Sequence, residues 1–204
     1  MRNKILIFGD SITYGAWDLE LGGWVNRVRL SIDKDRKIRS CHVFNLGISG
    51  QVTGEILERM DPECRSRIRE DANTIIVIAA GINDSRLEKG VIRVPAPEFR
   101  KNYLRLIETA RRYTDNVICV GLTPVDESRT NPVWWDRTMC WKNSLADEYD
   151  SMIREICSLT GTEYVDVHDL VDPLTNHDGL HPDAGGHKRI ALAVRAALNR
   201  YIRR

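Results

Sequence analysis

The chain has 204 residues, 42% of them apolar, and its 30 basic and 29 acidic side chains leave a formal net charge of +1. A chain of this length buries a full hydrophobic core within one domain, and this composition excludes wholesale disorder. The even charge balance argues against nucleic acid or an anionic membrane as the main partner, since neither would meet an excess of cations.

Taken in order, short apolar runs alternate with longer amphipathic stretches. Residues 5–8 (Ile5, Leu6, Ile7, Phe8) predict a buried strand. Residues 23–32 predict a helix, because Trp24, Val28 and Ile32 recur every four positions. Residues 41–44 predict a second strand, ending at Asn45-Leu46-Gly47, with a helix over 53–60 after it. Residues 74–80 are apolar throughout, as expected of a central parallel strand covered on both faces. Pro95 and Pro97 open a helix that runs to about Tyr113, and residues 116–122 predict a fourth strand. Residues 123–139 show no period and predict loop. A helix over 144–159, a fifth strand over 163–167 and a last helix from near Asp183 follow, the last with Ile190, Val194, Ala197 and Tyr201 on one face. Five strand–helix alternations without a linker predict a single α/β domain over residues 1–204, with a parallel sheet and right-handed crossovers.

Cys41, Cys64, Cys119, Cys140 and Cys157 are odd in number, form no C-x-x-C and sit near no His at zinc spacing. They predict buried, reduced thiols and a reducing compartment. The apolar run after Arg2 and Lys4 is too short for a secretory signal, and no run reaches membrane-spanning length. The expectation is a cytoplasmic, soluble protein without a membrane span.

In open parallel sheets, ligands bind beyond the carboxyl ends of the strands. Three such ends carry polar turns: Gly9-Asp10-Ser11, Asn45-Leu46-Gly47-Ile48-Ser49-Gly50 and Gly81-Ile82-Asn83-Asp84. A strand order of 2-1-3 would place them side by side. A serine hydroxyl is a nucleophile once a base takes its proton, and the oxyanion then formed needs fixed donors. Ser11 offers the hydroxyl; the Ser11 and Gly47 backbone N–H groups and the Asn83 amide offer the donors. Asp178 and His181, three apart in His177-Asp178-Gly179-Leu180-His181-Pro182, offer a base with an orienting carboxylate.

These four segments together resemble the motif blocks of the SGNH/GDSL hydrolase family, in the family's order and over nearly the whole chain. The G-x-S-x-G elbow of the other large α/β esterase class is absent. The resemblance implies a three-layer α/β/α sandwich with a five-stranded parallel, flavodoxin-like sheet. It implies a serine esterase with Ser11 as nucleophile, His181 as base and Asp178 as its orienter. Ser11, Gly47 and Asn83 would form the oxyanion hole, with no cofactor and no metal. The substrate would be a small-molecule ester; simple carboxylic esters, thioesters, lysophospholipids and acetylated sugars all suit this set.

Other assignments compete. Ser11 could merely cap a turn and Asn83 a helix. His177 and His181 could pair on a metal, although Gly179 and Pro182 oppose the helix that would align them. Ser49 is a rival nucleophile by type. A non-catalytic module for carbohydrate or acyl ligands, or a flavin or phosphate binder, would use the same fold. Asp10 and Asp84 are expected to hold their loops, and His42, His168 and His187 to be satisfied polar residues. Trp17, Trp134, Trp135 and Trp141 fall in or near loops, and Trp134 and Trp135 are candidate walls of a substrate cleft. Residues 14–23, 84–96 and 123–143 are the candidate specificity loops.

Overall fold

A computed structural model describes residues 2–38 and 40–202. In chain order the elements are β1 (Arg2–Gly9), α1 (Ser11–Tyr14), α2 (Trp24–Asp33), β2 (Cys41–Gly47), α3 (Thr53–Arg67) and β3 (Ala72–Ala79). They continue with β4 (Leu87–Glu88), β5 (Val91–Ile92), α4 (Ala96–Arg111), β6 (Val117–Val120) and α5 (Glu127–Thr130). The last are β7 (Met139–Cys140), α6 (Asn143–Thr160), β8 (Glu163–Val165) and α7 (Ala184–Leu198).

Five parallel strands form one sheet in the order β2-β1-β3-β6-β8. Side chains alternate between its faces because successive Cβ atoms of a strand point opposite ways. Leu6, Phe8, Ile76 and Ile78 face one layer, where Ile56 and Met60 of α3, Phe99 and Tyr103 of α4 and Ile153 of α6 pack. Ile5, Ile7, Ile75 and Val77 face the other, against Trp24 and Val28 of α2 and Ile190 and Val194 of α7. Both faces are covered, so residues 5–8 of β1 and 75–79 of β3 are apolar without interruption, and each buried Ile or Phe contributes about 1.5–3 kcal/mol. Register aligns Gly9 of β1 with Gly47 of β2 and Ala79 of β3, so the three polar turns leave the sheet side by side.

Three departures from the sequence expectation stand out. First, α3 runs through Pro62 to Arg67. Pro62 has no N–H to donate, but the buried stripe Ile56, Met60, Cys64 continues past it and holds the helix on the core. Second, a three-stranded antiparallel sheet, β5-β4-β7, lies within the expected loops. Its strands are two residues each, too short to show a period. The turn at its tip is marked by positive φ at Lys89 (52°) and Gly90 (79°), as tight hairpins demand. Third, the expected loop over 123–139 contains α5, capped by Asp126.

Candidate active site

The turn after β1 is built around Asp10. Its carboxylate caps α1 by accepting the Ile12 N–H at 2.9 Å, while its carbonyl accepts the Tyr14 N–H at 2.8 Å. Ser11 is therefore the first residue of a one-turn helix directly off the strand. Its N–H is one of the donors a helix start leaves over, and it has no acceptor among the described residues.

The segment bearing Asp178 and His181 crosses to this turn. Asp178 Oδ1 accepts the backbone N–H groups of Leu180 (3.0 Å) and His181 (2.9 Å), which folds 178–181 into a tight turn. Asp178 Oδ2 accepts His181 Nδ1–H at 2.6 Å. A carboxylate only accepts, so the ring proton sits on Nδ1, and Nε2 accepts from the Ser11 hydroxyl at 2.8 Å. Burial would raise the Asp178 pKa, but the His181 hydrogen bond and charge, with the two backbone donors, hold it down at about 2. A hydroxyl, an imidazole and a fixed carboxylate thus stand in one row. Such a row can take a proton from Oγ and stabilise the imidazolium that results.

The donor set differs from expectation at one position. The Gly47 N–H is already donated to Asn45 Oδ1 at 3.0 Å, so it does not face an incoming oxygen. Gly47 is needed for another reason: a Cβ there would lie 2.3 Å from the Tyr14 nitrogen and 2.8 Å from the Asp10 carbonyl oxygen. The turn that bears Ser11 packs directly on this glycine. Three residues on, Gly50 has a φ of 79° and an N–H without an acceptor among the described residues. The next residue, Gln51, accepts Asn83 Nδ2–H through its carbonyl at 3.1 Å. Asn83 is 3% exposed, and its amide makes this one donated hydrogen bond among the described residues. In N-L-G-I-S-G the two glycines are equivalent as sequence signals; only the hydrogen bonds separate them.

Arg59 of α3 braces these turns from below. Its guanidinium donates to Gln51 Oε1 (2.7 Å), Leu46 O (2.7 Å) and Gly9 O (3.4 Å), and lies 5.6 Å from the Phe8 ring centroid. Nη1 is buried without a partner among the described residues. Burial lowers the Arg59 pKa. On the far side, Arg129 of α5 donates to the carbonyls of Asn176 and His177, and Asp126 N–H donates to the Gly179 carbonyl at 2.8 Å. The helix absent from the sequence expectation thus holds the loop that presents Asp178 and His181.

Asp10 and Asp84 do hold their loops. Asp84, fully buried, accepts the Thr53 N–H at 3.1 Å and the Thr53 hydroxyl, tying the turn after β3 to the start of α3. Burial raises both carboxyls, Asp10 to about 6 and Asp84, with Asp10's charge adding, to about 7. The unfolded chain ionises near pH 4, so the folded state holds extra protons from there up to about 7. Stability from these groups is complete below about pH 4 and lost as pH rises through 6 and 7, by about 1.4 kcal/mol per pH unit for each proton held. Asp178 acts oppositely: its contribution is present above about pH 4 and lost as pH falls through 2. Urea unfolding should therefore show a free energy that falls from about pH 4 to 7 and levels off above, and Asp84→Asn should flatten that fall. An unchanged slope in the variant would exclude Asp84 as a source.

His187 is a satisfied core residue: Nδ1 accepts the Trp24 N–H and Nε2–H donates to the Ala16 carbonyl. His177 stacks on Trp17. Trp141 is buried, donating Nε1–H to the Ile82 carbonyl at 3.0 Å next to Asn83. Trp135 packs near it, ring centroids 6.3 Å apart, and Trp134 is 71% exposed. Neither Trp134 nor Trp135 makes a hydrogen bond or ring contact with Ser11, Asn83, Asp178 or His181. The tryptophan that does reach this row is Trp17, through Asp178.

Relatives are similar over most of their length. An "Isoamyl acetate-hydrolyzing esterase 1 homolog" from Mus musculus is 26% identical over 220 residues, covering 98% of this chain and 82% of that protein. The Homo sapiens protein of the same name is 25% identical over 201 residues, covering 91% and 77%. Among solved structures, the lipase/acylhydrolase from Enterococcus faecalis has a TM-score of 0.77 at 21% identity, covering 100% of this chain and 98% of its own. An acetylxylan esterase from Geobacillus stearothermophilus has a TM-score of 0.73 at 19% identity, covering 96% and 93%. These structural likenesses carry the fold. The sequence model of the GDSL-like Lipase/Acylhydrolase family matches residues 7–189, from within β1 into α7, and the chain belongs to that family.

Proposed function

We propose that this protein is a serine esterase that cleaves carboxylic esters through an acyl-enzyme on Ser11. The observation that carries the proposal is the Ser11 Oγ–His181 Nε2–Asp178 row, with links of 2.8 and 2.6 Å. Ser11 Oγ attacks the ester carbonyl as its proton passes to His181 Nε2. Asp178 holds the Nδ1–H and stabilises the imidazolium. The carbonyl oxygen, now negative, is met by the Ser11 N–H, the Asn83 amide and the Gly50 N–H, Gly50 taking the place expected for Gly47. His181 returns the proton to the departing alcohol, and a water activated by the same base then releases the acid. The reaction calls for no cofactor or metal. The substrate is a small molecule handled within the one domain.

Esters of short acids, acetates first, are the proposed substrates. The relatives named for isoamyl acetate and for acetylxylan support this class. Tyr14 and Ile48, exposed apolar residues on the turns after β1 and β2, supply contact surface for the alcohol. The test pairs a p-nitrophenyl ester series, acetate to palmitate, with labelling by a fluorophosphonate probe. Expected are a kcat/KM optimum at the acetate end of the series, in line with the relatives named for acetates, and a single adduct mapping to Ser11. Absence of both turnover and label would overturn the esterase assignment; an optimum at long chains would overturn the acetate class alone.

A further inference from the structure

Trp17 is an unusual residue in an unusual place. Its φ is 68°, a left-handed conformation that a bulky side chain adopts only under constraint. The residue is 42% exposed, so full burial is not what holds it there. Both neighbours in the chain are anchored. The Ala16 carbonyl accepts His187 Nε2–H at 3.1 Å. The Asp18 carboxylate, paired with Arg27, accepts the N–H groups of Glu20, Leu21 and Gly23. Strain of this kind persists where the surroundings over-determine the backbone, and it gathers at functional sites.

The strained turn aims the indole N–H at Asp178. Trp17 Nε1–H donates to Asp178 Oδ2 at 3.1 Å, the oxygen that also accepts His181 Nδ1–H. The ring itself lies flat on His177, centroids 4.0 Å apart and planes 8° from parallel. With the two backbone donors on Oδ1, Asp178 accepts four hydrogen bonds, two on each oxygen.

We propose that Trp17 is a positioning residue for the Ser11–His181–Asp178 row: its N–H fixes the Asp178 carboxylate and draws charge from Oδ2, which tunes the basicity of His181. This rests on the esterase assignment for its catalytic consequence but not for its effect on His181. The sign follows from electrostatics. A donor on Oδ2 weakens the attraction between the carboxylate and the imidazolium, so removing it makes His181 more basic. The other titratable and charged groups facing this region are Asp10 from the start of α1, His187 from α7, His177 under the indole and Arg129 from α5.

Trp17→Phe keeps an aromatic ring over His177 and removes the N–H, along with the second ring of the indole. Trp17→Gly accepts the positive φ without strain and guards against a folding defect. The experiment titrates ¹⁵N-histidine-labelled protein by NMR, with the His181 signals assigned from His181→Gln, and follows p-nitrophenyl acetate hydrolysis from pH 5 to 9. In both variants the His181 midpoint should rise by about half a pH unit or more. In Trp17→Phe kcat should fall about tenfold, the size of one hydrogen bond to a charged group, with KM little changed. A His181 midpoint unmoved in Trp17→Phe and Trp17→Gly would overturn the inference, whatever the activity. A shifted midpoint in the variants, alongside a wild type that shows no Ser11-dependent turnover, would support the Trp17 assignment while the esterase assignment failed.

Discussion

Ser11→Ala should lower kcat/KM for p-nitrophenyl acetate by about 10⁴-fold or more, because loss of the nucleophile removes the covalent route and leaves only binding and oxyanion donors. The substitution is well placed to be clean. Ser11 is 7% exposed, and among the described residues its hydroxyl bonds only His181. The α1 cap belongs to Asp10 and the turn packs on Gly47, so neither depends on the Ser11 side chain. The melting temperature should therefore stay close to wild type. Wild type and variant are compared in one burst-and-steady-state assay, with circular dichroism melts alongside. Equal rates in the two proteins would remove Ser11 as nucleophile, with Ser49 the next serine to substitute.

Asn83→Ala should cost about 3 kcal/mol in the barrier, roughly a hundredfold or more in kcat, as loss of one oxyanion donor does elsewhere. The effect should fall on kcat more than on KM, since the donor meets charge that develops only in the transition state. Asn83 also donates to the Gln51 carbonyl, so part of the loss comes from a loosened Gly50–Gln51 turn. Asn83→Asp separates the two. It fills the same volume but offers no N–H, and a carboxylate beside a developing oxyanion repels it. It should be at least as slow as Asn83→Ala. An Asn83→Asp enzyme with near wild-type kcat would show that the amide is not an oxyanion donor.

The strands were legible because period and composition are local properties. The run from Ile75 to Ala80 is apolar throughout since β3 is covered on both faces, and every such position is read from its own residue. The polar turns were legible for a related reason: Gly, Ser, Asn and Asp directly after an apolar run mark where a parallel sheet presents its ligand edge. The side-by-side order of β2, β1 and β3 then followed as an assumption that the register bears out. The two-residue strands β4, β5 and β7 were not legible, since a period of two cannot appear in two residues.

The donors and braces around the row are another matter. Gly47 and Gly50 differ only in which acceptor each N–H finds, and that depends on the Asn45 side chain folding back. Arg59 reads as one more charge on an amphipathic helix until its guanidinium is seen under Gly9, Leu46 and Gln51. Trp17 and Asp178 are 161 positions apart, and nothing near either one in sequence predicts their hydrogen bond. By itself the sequence determined the α/β architecture, the three strand-end turns and the residue types for acyl chemistry, because each is encoded by neighbours within a few positions. The tertiary structure alone decided which backbone N–H remains open, which cation braces the turns and which indole meets the carboxylate. Hydrogen bonds between distant segments have direction and range that only the folded backbone supplies.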